Sequence, residues 1–318
     1  MYFYSSFDLT LKSDTPLNPL FTEVPPGPSQ VNIKRMTSEK LASLSTDKWE
    51  RTKEIINPST GHSVLLIHFR KEYVCYEYLH PKVIFLINIK DLTVTYATDH
   101  MELLALYISS KILPFIMNLR GYYLLHASCI GIDGKAFAFC APHAGGKSTV
   151  ASALVKTSKK AEIISDDILP TFIKDGQFNV IRSSTHTRIW SPVGHDPLFE
   201  KYPRLDEHIP KRVMKLRTGN ERIWNLSRIY FIKRWDKKIS TNSMRLNTAQ
   251  LKKLLLYQYY ETGYSYYMNL HIESSPFIQA IASNVPGYLM FVDEPLSSME
   301  KWACHFWLEL SNTFTVPE

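Results

Sequence analysis

Lys147 and Ser148 follow two glycines in Ala141-Pro-His-Ala-Gly-Gly-Lys-Ser-Thr149, and residue types in that order suit the binding of an anionic phosphate. Backbone N–H groups of such a loop wrap the phosphate, and the lysine supplies a point charge to its outer oxygens. The serine hydroxyl offers a ligand to Mg²⁺, while the helix that follows directs its positive end at the anion. Ala144, Gly145, Gly146, Lys147, Ser148 and Thr149 are therefore the candidate nucleotide-binding residues. Ala141 stands where this motif usually has its first glycine, which is tolerable only if the position avoids positive φ. Two carboxylates, Asp166 and Asp167, close the apolar run Ile163–Asp167, where a nucleotide enzyme places an acid for a metal or for a hydroxyl. His126 lies upstream within Leu124-Leu-His-Ala-Ser128.

These residues need elements to hold them. Lys135–Cys140 (KAFAFC) predicts a buried strand running into the loop, and Ser148–Lys156 predicts the helix leaving it. Asp133-Gly134 separates Leu124–Ile132 from Lys135–Cys140, and Asp175-Gly176 separates Ile168–Ile173 from Phe178–Arg182. Asp-Gly between apolar runs signals a two-residue hairpin. The strand entering the loop is thus expected to pair antiparallel with its predecessor. Parallel strands joined by helical crossovers are not expected, and the fold class is α/β with a mixed sheet.

With its fifteen-position spacing from His126 to Ala141, the loop, and Ser165-Asp166-Asp167, the segment of about residues 107 to 182 resembles the core of HPr kinase/phosphorylase. That fold is related to phosphoenolpyruvate carboxykinase. The resemblance implies a kinase using ATP or another nucleoside triphosphate with Mg²⁺. It makes Asp166 the base facing the acceptor hydroxyl and His126 a neighbour of the reacting phosphate. Asp167 serves the metal, with Ser148, or orients its neighbours. Ala141 and Pro142-His143 depart from the family pattern, and the later segment associated with dephosphorylation has no counterpart. Ile108–Pro114, Asn118–Ser128 and Ser13-Asp-Thr-Pro-Leu17 are further similar to HPr-kinase-like proteins of bacterial peptide natural-product systems, among them kinases acting on a C-terminal serine of a lasso-peptide precursor. A small precursor peptide is the partner so implied. Arg188, Lys211 and Arg212 recur in place in those proteins and are candidate phosphate or substrate contacts, since arginine suits a transferred phosphoryl group. Trp190 is a candidate for stacking or packing.

Composition agrees with an enzyme that has a substantial core: 45% of the 318 residues are apolar. Cys75, Cys129, Cys140 and Cys304 show no metal-ligand spacing and no disulfide framework, and read as thiols of a reducing, cytoplasmic compartment. No signal peptide is apparent at the N-terminus. Asn118 and Arg120 interrupt the best apolar window, so no membrane span is expected. Net charge is +7, with 15 Lys/Arg against 4 Asp/Glu between Lys201 and Lys253. Such a surface suits an anionic partner; no zinc-finger, helix-turn-helix or RNA-stacking signature accompanies it, so nucleic acid is not expected. Oligomeric state stays open.

Two domains are expected: a β-rich N-terminal region over 1–98 for substrate recognition and a catalytic domain over 99–318. Pro25-Pro-Gly-Pro28 marks an exposed turn. A helix is expected over Asp99–Leu119, capped by Asp99 with Glu102, with Pro114 kinking it or starting a second segment. Later elements are expected at Ile229–Lys233 (strand), Thr248–Glu261 and Pro276–Ser283 (helices), Tyr288–Val292 (strand) and Ser297–Phe314, a helix capped by Ser297 and Glu300.

Overall fold

In a computed structural model the structure describes residues 1–17, 20–46, 48–183, 186–190, 211–215, 218–219, 221–234, 243–268, 275–292 and 299–314. The fold is mixed α/β. The chain forms two units: Met1–Arg120 with Glu261–Leu270, and Gly121–Tyr260 with His271–Glu318.

The first unit is built on a nine-stranded sheet. Its strands are β1 (Tyr2–Ser6), β2 (Leu9–Ser13), β3 (Thr22–Glu23), β4 (Val31–Arg35), β5 (Arg51–Ile56), β6 (Ser63–Arg70), β7 (Tyr73–Leu79), β8 (Lys82–Asn88) and β9 (Thr93–Thr98). They run in the order β3-β1-β2-β4-β9-β8-β7-β6-β5. Pairing is antiparallel except at β2–β4 and β4–β9. Helix α1 (Ser38–Thr46) follows β4. Helix α2 (Met101–Tyr107) passes through a π-helical turn, Ile108–Ile112, into α3 (Leu113–Leu119). Pro114 sits in the first turn of α3. Its missing N–H and bulky ring disfavour regular α-helical bonding behind it, which accounts for the widened turn.

The unit boundary falls after Arg120, not at residue 98. The physical reason is apolar: Ile108, Ile112, Leu113, Phe115 and Ile116 are fully buried. Phe115 meets Tyr76 edge-on at 5.7 Å, and Tyr107 lies 4.3 Å from Tyr78. The expected Asp99–Glu102 capping box does not form. His100 is the N-cap residue and makes no side-chain cap bond; its ring instead meets Glu102 at 3.2 Å. Contrary to the reading of Asn118 and Arg120 as interruptions, Met101–Leu119 is long and apolar enough by composition to cross a membrane. Just over half of it, 56%, is buried in the protein, the pattern of a core helix. The turn at Pro25–Pro28 is exposed, as its composition leads one to expect.

The second unit contains β10 (Tyr123–Leu125), β11 (Ala127–Ile132), β12 (Lys135–Cys140), β13 (Glu162–Ser165), β14 (Leu169–Lys174), β15 (Gln177–Ile181), β16 (His186–Trp190), β17 (Lys211–Lys215), β18 (Ile223–Arg234), β19 (Ser243–Arg245) and β20 (Gly287–Val292). Its helices are α4 (Lys147–Thr157), α5 (Thr248–Tyr257), α6 (Pro276–Asn284) and α7 (Met299–Phe314). The main sheet runs β10-β14-β15-β18-β12-β11-β13, with β20 beside the far half of β18 and β19 beside β20. Both Asp-Gly hairpins form: β11 pairs antiparallel with β12, and β14 with β15. Their turn residues Asp133, Gly134, Asp175 and Gly176 all adopt positive φ, as two-residue hairpins of this twist require. β12 and β18 are parallel, so the sheet is mixed.

Alternation along β12 builds the core. Phe137 and Phe139 pack with α4 and α7, while Ala136, Ala138 and Cys140 pack with α5 and α6. A strand buried on both faces reads as an unbroken apolar run, which is why KAFAFC has no polar positions after its first residue. The C-terminus of α4 is closed by Trp307, whose indole N–H donates to Leu154 O at 3.3 Å and Thr157 Oγ1 at 3.2 Å. Helix α5 carries a capping box between Asn247 and Gln250. Ser297, the expected cap of α7, lies outside the described residues.

Gly131 on β11 faces Trp224, which is buried. A Cβ at Gly131 would lie 2.7 Å from Trp224 Nε1 and 3.0 Å from Ile164 Cδ1. We expect Gly131→Ala to lower unfolding free energy by about 1–3 kcal/mol, the usual cost of overpacking a core. Urea denaturation checks this; an unchanged midpoint would mean that Trp224 yields freely.

Candidate functional site

The loop between β12 and α4 is shaped by its backbone. Ala141 stays outside the left-handed region, so the missing first glycine costs nothing there; Ala144 takes φ 60° instead and Gly146 φ 92°. Gly146 is the N-cap of α4, and its carbonyl accepts from Val150 N at 2.9 Å. Gly145 N donates to Pro142 O at 2.9 Å. A Cβ on Gly145 would come within 2.6 Å of Ala141 Cβ and 2.9 Å of Pro142 O, so this glycine is required by space. Lys147, Ser148 and Thr149 form the first turn of α4.

Lys147 is buried, and its ammonium donates to Ala141 O at 3.1 Å and Pro142 O at 3.4 Å. Burial pushes its pKa down, while the charges of Asp167, Cys140 and Asp166 push back. The two carboxylates thus offset part of the desolvation of this ammonium.

The double aspartate follows β13, which ends at Ser165 rather than running on to Asp167. Asp166 is buried. Its Oδ1 accepts from Ser148 Oγ at 2.6 Å and from Ser128 Oγ at 3.0 Å. Asp167 turns to φ 84°. Its Oδ1 meets His126 Nε2 at 2.7 Å. With an ionised carboxylate as acceptor, that ring nitrogen is the donor. The sequence reading gave Asp166 to the acceptor, and Asp167 to the metal with Ser148 or to orienting its neighbours; in the structure Ser148 hydrogen-bonds Asp166, and Asp167 meets His126. The reason is local: neighbouring residues leaving a strand point to opposite sides, and the left-handed turn carries Asp167 to the histidine.

His126 occupies a break in what the sequence presents as one strand, Leu124–Ile132. Upstream, β10 pairs with β14; downstream, β11 pairs with β12 and β13. Its own N–H donates to Gln258 O at 2.6 Å, outside either ladder. Ser128 was missed as a site residue. Its link to the site is the Asp166 carboxylate, which it shares with Ser148, a contact that only the tertiary fold creates.

β16 and β17 form a separate two-stranded ribbon, with Ile189 opposite Arg212 and Trp190 opposite Lys211. Met214 of β17 joins the apolar cluster around α4. Arg212 is on this ribbon, half-buried. The side chains of Arg188, Trp190 and Lys211 lie outside the described residues, as does much of the basic segment Lys201–Lys253. Among the described residues no group of three or more His, Cys, Asp or Glu could form a metal cage.

Neither protein-family models nor curated protein sequences match the chain. Among solved structures, it is similar to the Hpr(Ser) kinase/phosphatase from Coxiella burnetii at 11% identity and a TM-score of 0.31, over 59% of this chain and 98% of that one. A likeness that distant assigns no chemistry to the residues above.

Cys140 ends β12 at the start of the loop, opposite Ala127, and Cys129 pairs with Ala138 in the same hairpin; both thiols are fully buried. Burial raises both thiols, Cys140 to about 12 and Cys129 well above its ordinary value. Cys75 is also buried, whereas Cys304 is exposed. At pH 8 we expect a thiol reagent to modify Cys304 alone in the native protein and all four cysteines after denaturation. Intact mass after timed alkylation reads this, and rapid labelling of Cys140 would contradict its burial.

Proposed function

We propose that the chain is a kinase that transfers phosphate from a nucleoside triphosphate to a serine hydroxyl of a small precursor peptide, in lasso-peptide tailoring. The observation that carries the reading is the convergence of Lys147, Ser148, Asp166, Asp167 and His126 through direct hydrogen bonds and charge interactions within one unit. The peptide as acceptor rests on the sequence resemblance of Ser13–Leu17 and Ile108–Ser128 alone.

The donor set suits Mg²⁺. Ser148 and Asp166 present hard oxygens 2.6 Å apart. Mg²⁺ is commonly held by one or two carboxylates plus substrate phosphates, not by an all-protein cage. When bound, Mg²⁺ would supply charge neutralisation to the phosphates. Loop N–H groups and the start of α4 would orient the triphosphate, and Lys147 would swing its ammonium from the Ala141 and Pro142 carbonyls to the outer phosphate oxygens. Asp167, held by His126, would accept the serine proton as the hydroxyl oxygen bonds to the terminal phosphorus and the bond to the leaving diphosphate breaks. The products are a phosphoserine, a nucleoside diphosphate and a proton on Asp167. Catalysis of this type depends on positioning and charge stabilisation.

The two aspartates then have separable signatures. Asp167→Asn should lower kcat by ~10²-fold or more with nucleotide affinity retained. Asp166→Asn should raise the Mg²⁺ concentration needed for half-maximal rate. The opposite pattern would return the roles to those read from sequence. Lys147→Ala should abolish transfer in a folded protein, as judged by circular dichroism. For the acceptor, mass spectrometry of a candidate precursor peptide incubated with ATP and Mg²⁺ should show about +80 Da on its C-terminal serine. An unmodified peptide beside a phosphorylated HPr or free metabolite would refute the peptide assignment and leave the kinase reading standing.

A further inference from the structure

His126 is held by a segment that none of the motifs includes. After α5 the chain runs along β10 as an extended strap. Gln258 O accepts the His126 N–H at 2.6 Å, Tyr259 bridges antiparallel to Leu125, and Tyr260 N donates to Leu124 O at 2.9 Å. The strap therefore supplies the ladder partner that β10 and β11 cannot give His126 at their break. Its last residue returns to the histidine by its side chain. The Tyr260 and His126 rings sit 6.0 Å apart at 72°, an edge-to-face arrangement. Gln258 is buried, and among the described residues its Oε1 has no hydrogen-bond partner, which is uncommon for a buried polar atom.

Among the described residues the imidazole makes one side-chain hydrogen bond, Nε2 to Asp167 at 2.7 Å. That bond fixes one point of the ring and leaves rotation about it open. A second ring packed edge-to-face at 72° restricts that freedom. We propose that Tyr260 is a positioning residue: the edge contact of its ring locks the His126 imidazole in the orientation that keeps Nε2 on Asp167. The aromatic ring is the part of Tyr260 assigned this role. The consequence for phosphoryl transfer rests on the kinase reading above; the consequence for His126 does not.

The test uses the full chain labelled with ¹⁵N-histidine, with the His126 signals assigned by their loss in His126→Gln. At one fixed pH, the wild type should show the His126 nitrogen shifts of a ring held in a single orientation with Nε2 hydrogen-bonded. Tyr260→Ala should move the His126 nitrogens toward the averaged shifts of a mobile ring, and Tyr260→Leu, which keeps apolar bulk, should do the same. Tyr260→Phe should keep the wild-type pattern. In transfer assays the Ala and Leu variants should lose about 3- to 10-fold in kcat, the scale of one aromatic pair, with nucleotide KM unchanged and Phe restoring the rate. Wild-type His126 shifts in both Tyr260→Ala and Tyr260→Leu would overturn the proposal, as would a Phe variant as impaired as Ala. Should the shifts move as expected while the wild type itself transfers no phosphate, the positioning role stands and the kinase reading falls.

Discussion

One carboxylate oxygen organises the site. Oδ1 of Asp166 accepts hydroxyls from Ser128 on β11 and Ser148 on α4. It therefore ties the strand before the loop and the helix after it to the end of β13. A buried carboxylate is costly unless hydrogen-bonded, and two hydroxyl donors offset much of that cost. The register shift between Cys129 and Ile130 in the β11–β13 pairing belongs to the same arrangement, because Ser165 pairs with Cys129 just before the aspartates leave the strand.

The second constraint is backbone strain. Asp167 has φ 84°, a region that costs a non-glycine residue of order 1–3 kcal/mol and persists only where surroundings over-determine it. Here the surroundings are the Asp166 hydroxyl bonds on one side and the His126 bond on the other. The outcome is two adjacent carboxylates that face different partners. A regular strand continuation would also separate them, but it would not bring Asp167 to a histidine that sits outside the β-ladder. Asp-Asp adjacency and the histidine break are thus two halves of one device.

Much of this was legible in the sequence. Asp133-Gly134 and Asp175-Gly176 specify their hairpins because φ > 0 at both turn residues selects them, and KAFAFC specifies a doubly buried strand. What was not legible came from tertiary context. Nothing local says that Leu124–Ile132 breaks at His126, since each half is equally apolar; the break appears only when β14 claims one half and β12 with β13 the other. Which partner Asp167 meets depends on one dihedral angle. The Asn247–Gln250 capping box was present in the letters and was overlooked, whereas the apparent box at Asp99 and Glu102 failed because the helix starts two residues later, at Met101. β18 extends to twelve residues because three strands use it along its length: β12 on one side, and β15 then β20 on the other.

The charges explain why the site can be built before anything binds. Lys147 is buried with only carbonyl oxygens of its own loop as acceptors, so its ammonium loses hydration without a formal ion pair. Asp167 and Asp166 favour its charged form from a distance, which offsets part of the desolvation. The same two carboxylates would repel an incoming triphosphate if they were bare. Their hydroxyl and imidazole partners spread that negative charge, and a divalent cation beside Ser148 would cancel more of it. On the proposed kinase reading, triphosphate binding as well as turnover would depend on that cation. Positioning comes from the fold, through the hydroxyl bonds of Asp166 and the Asp167 turn.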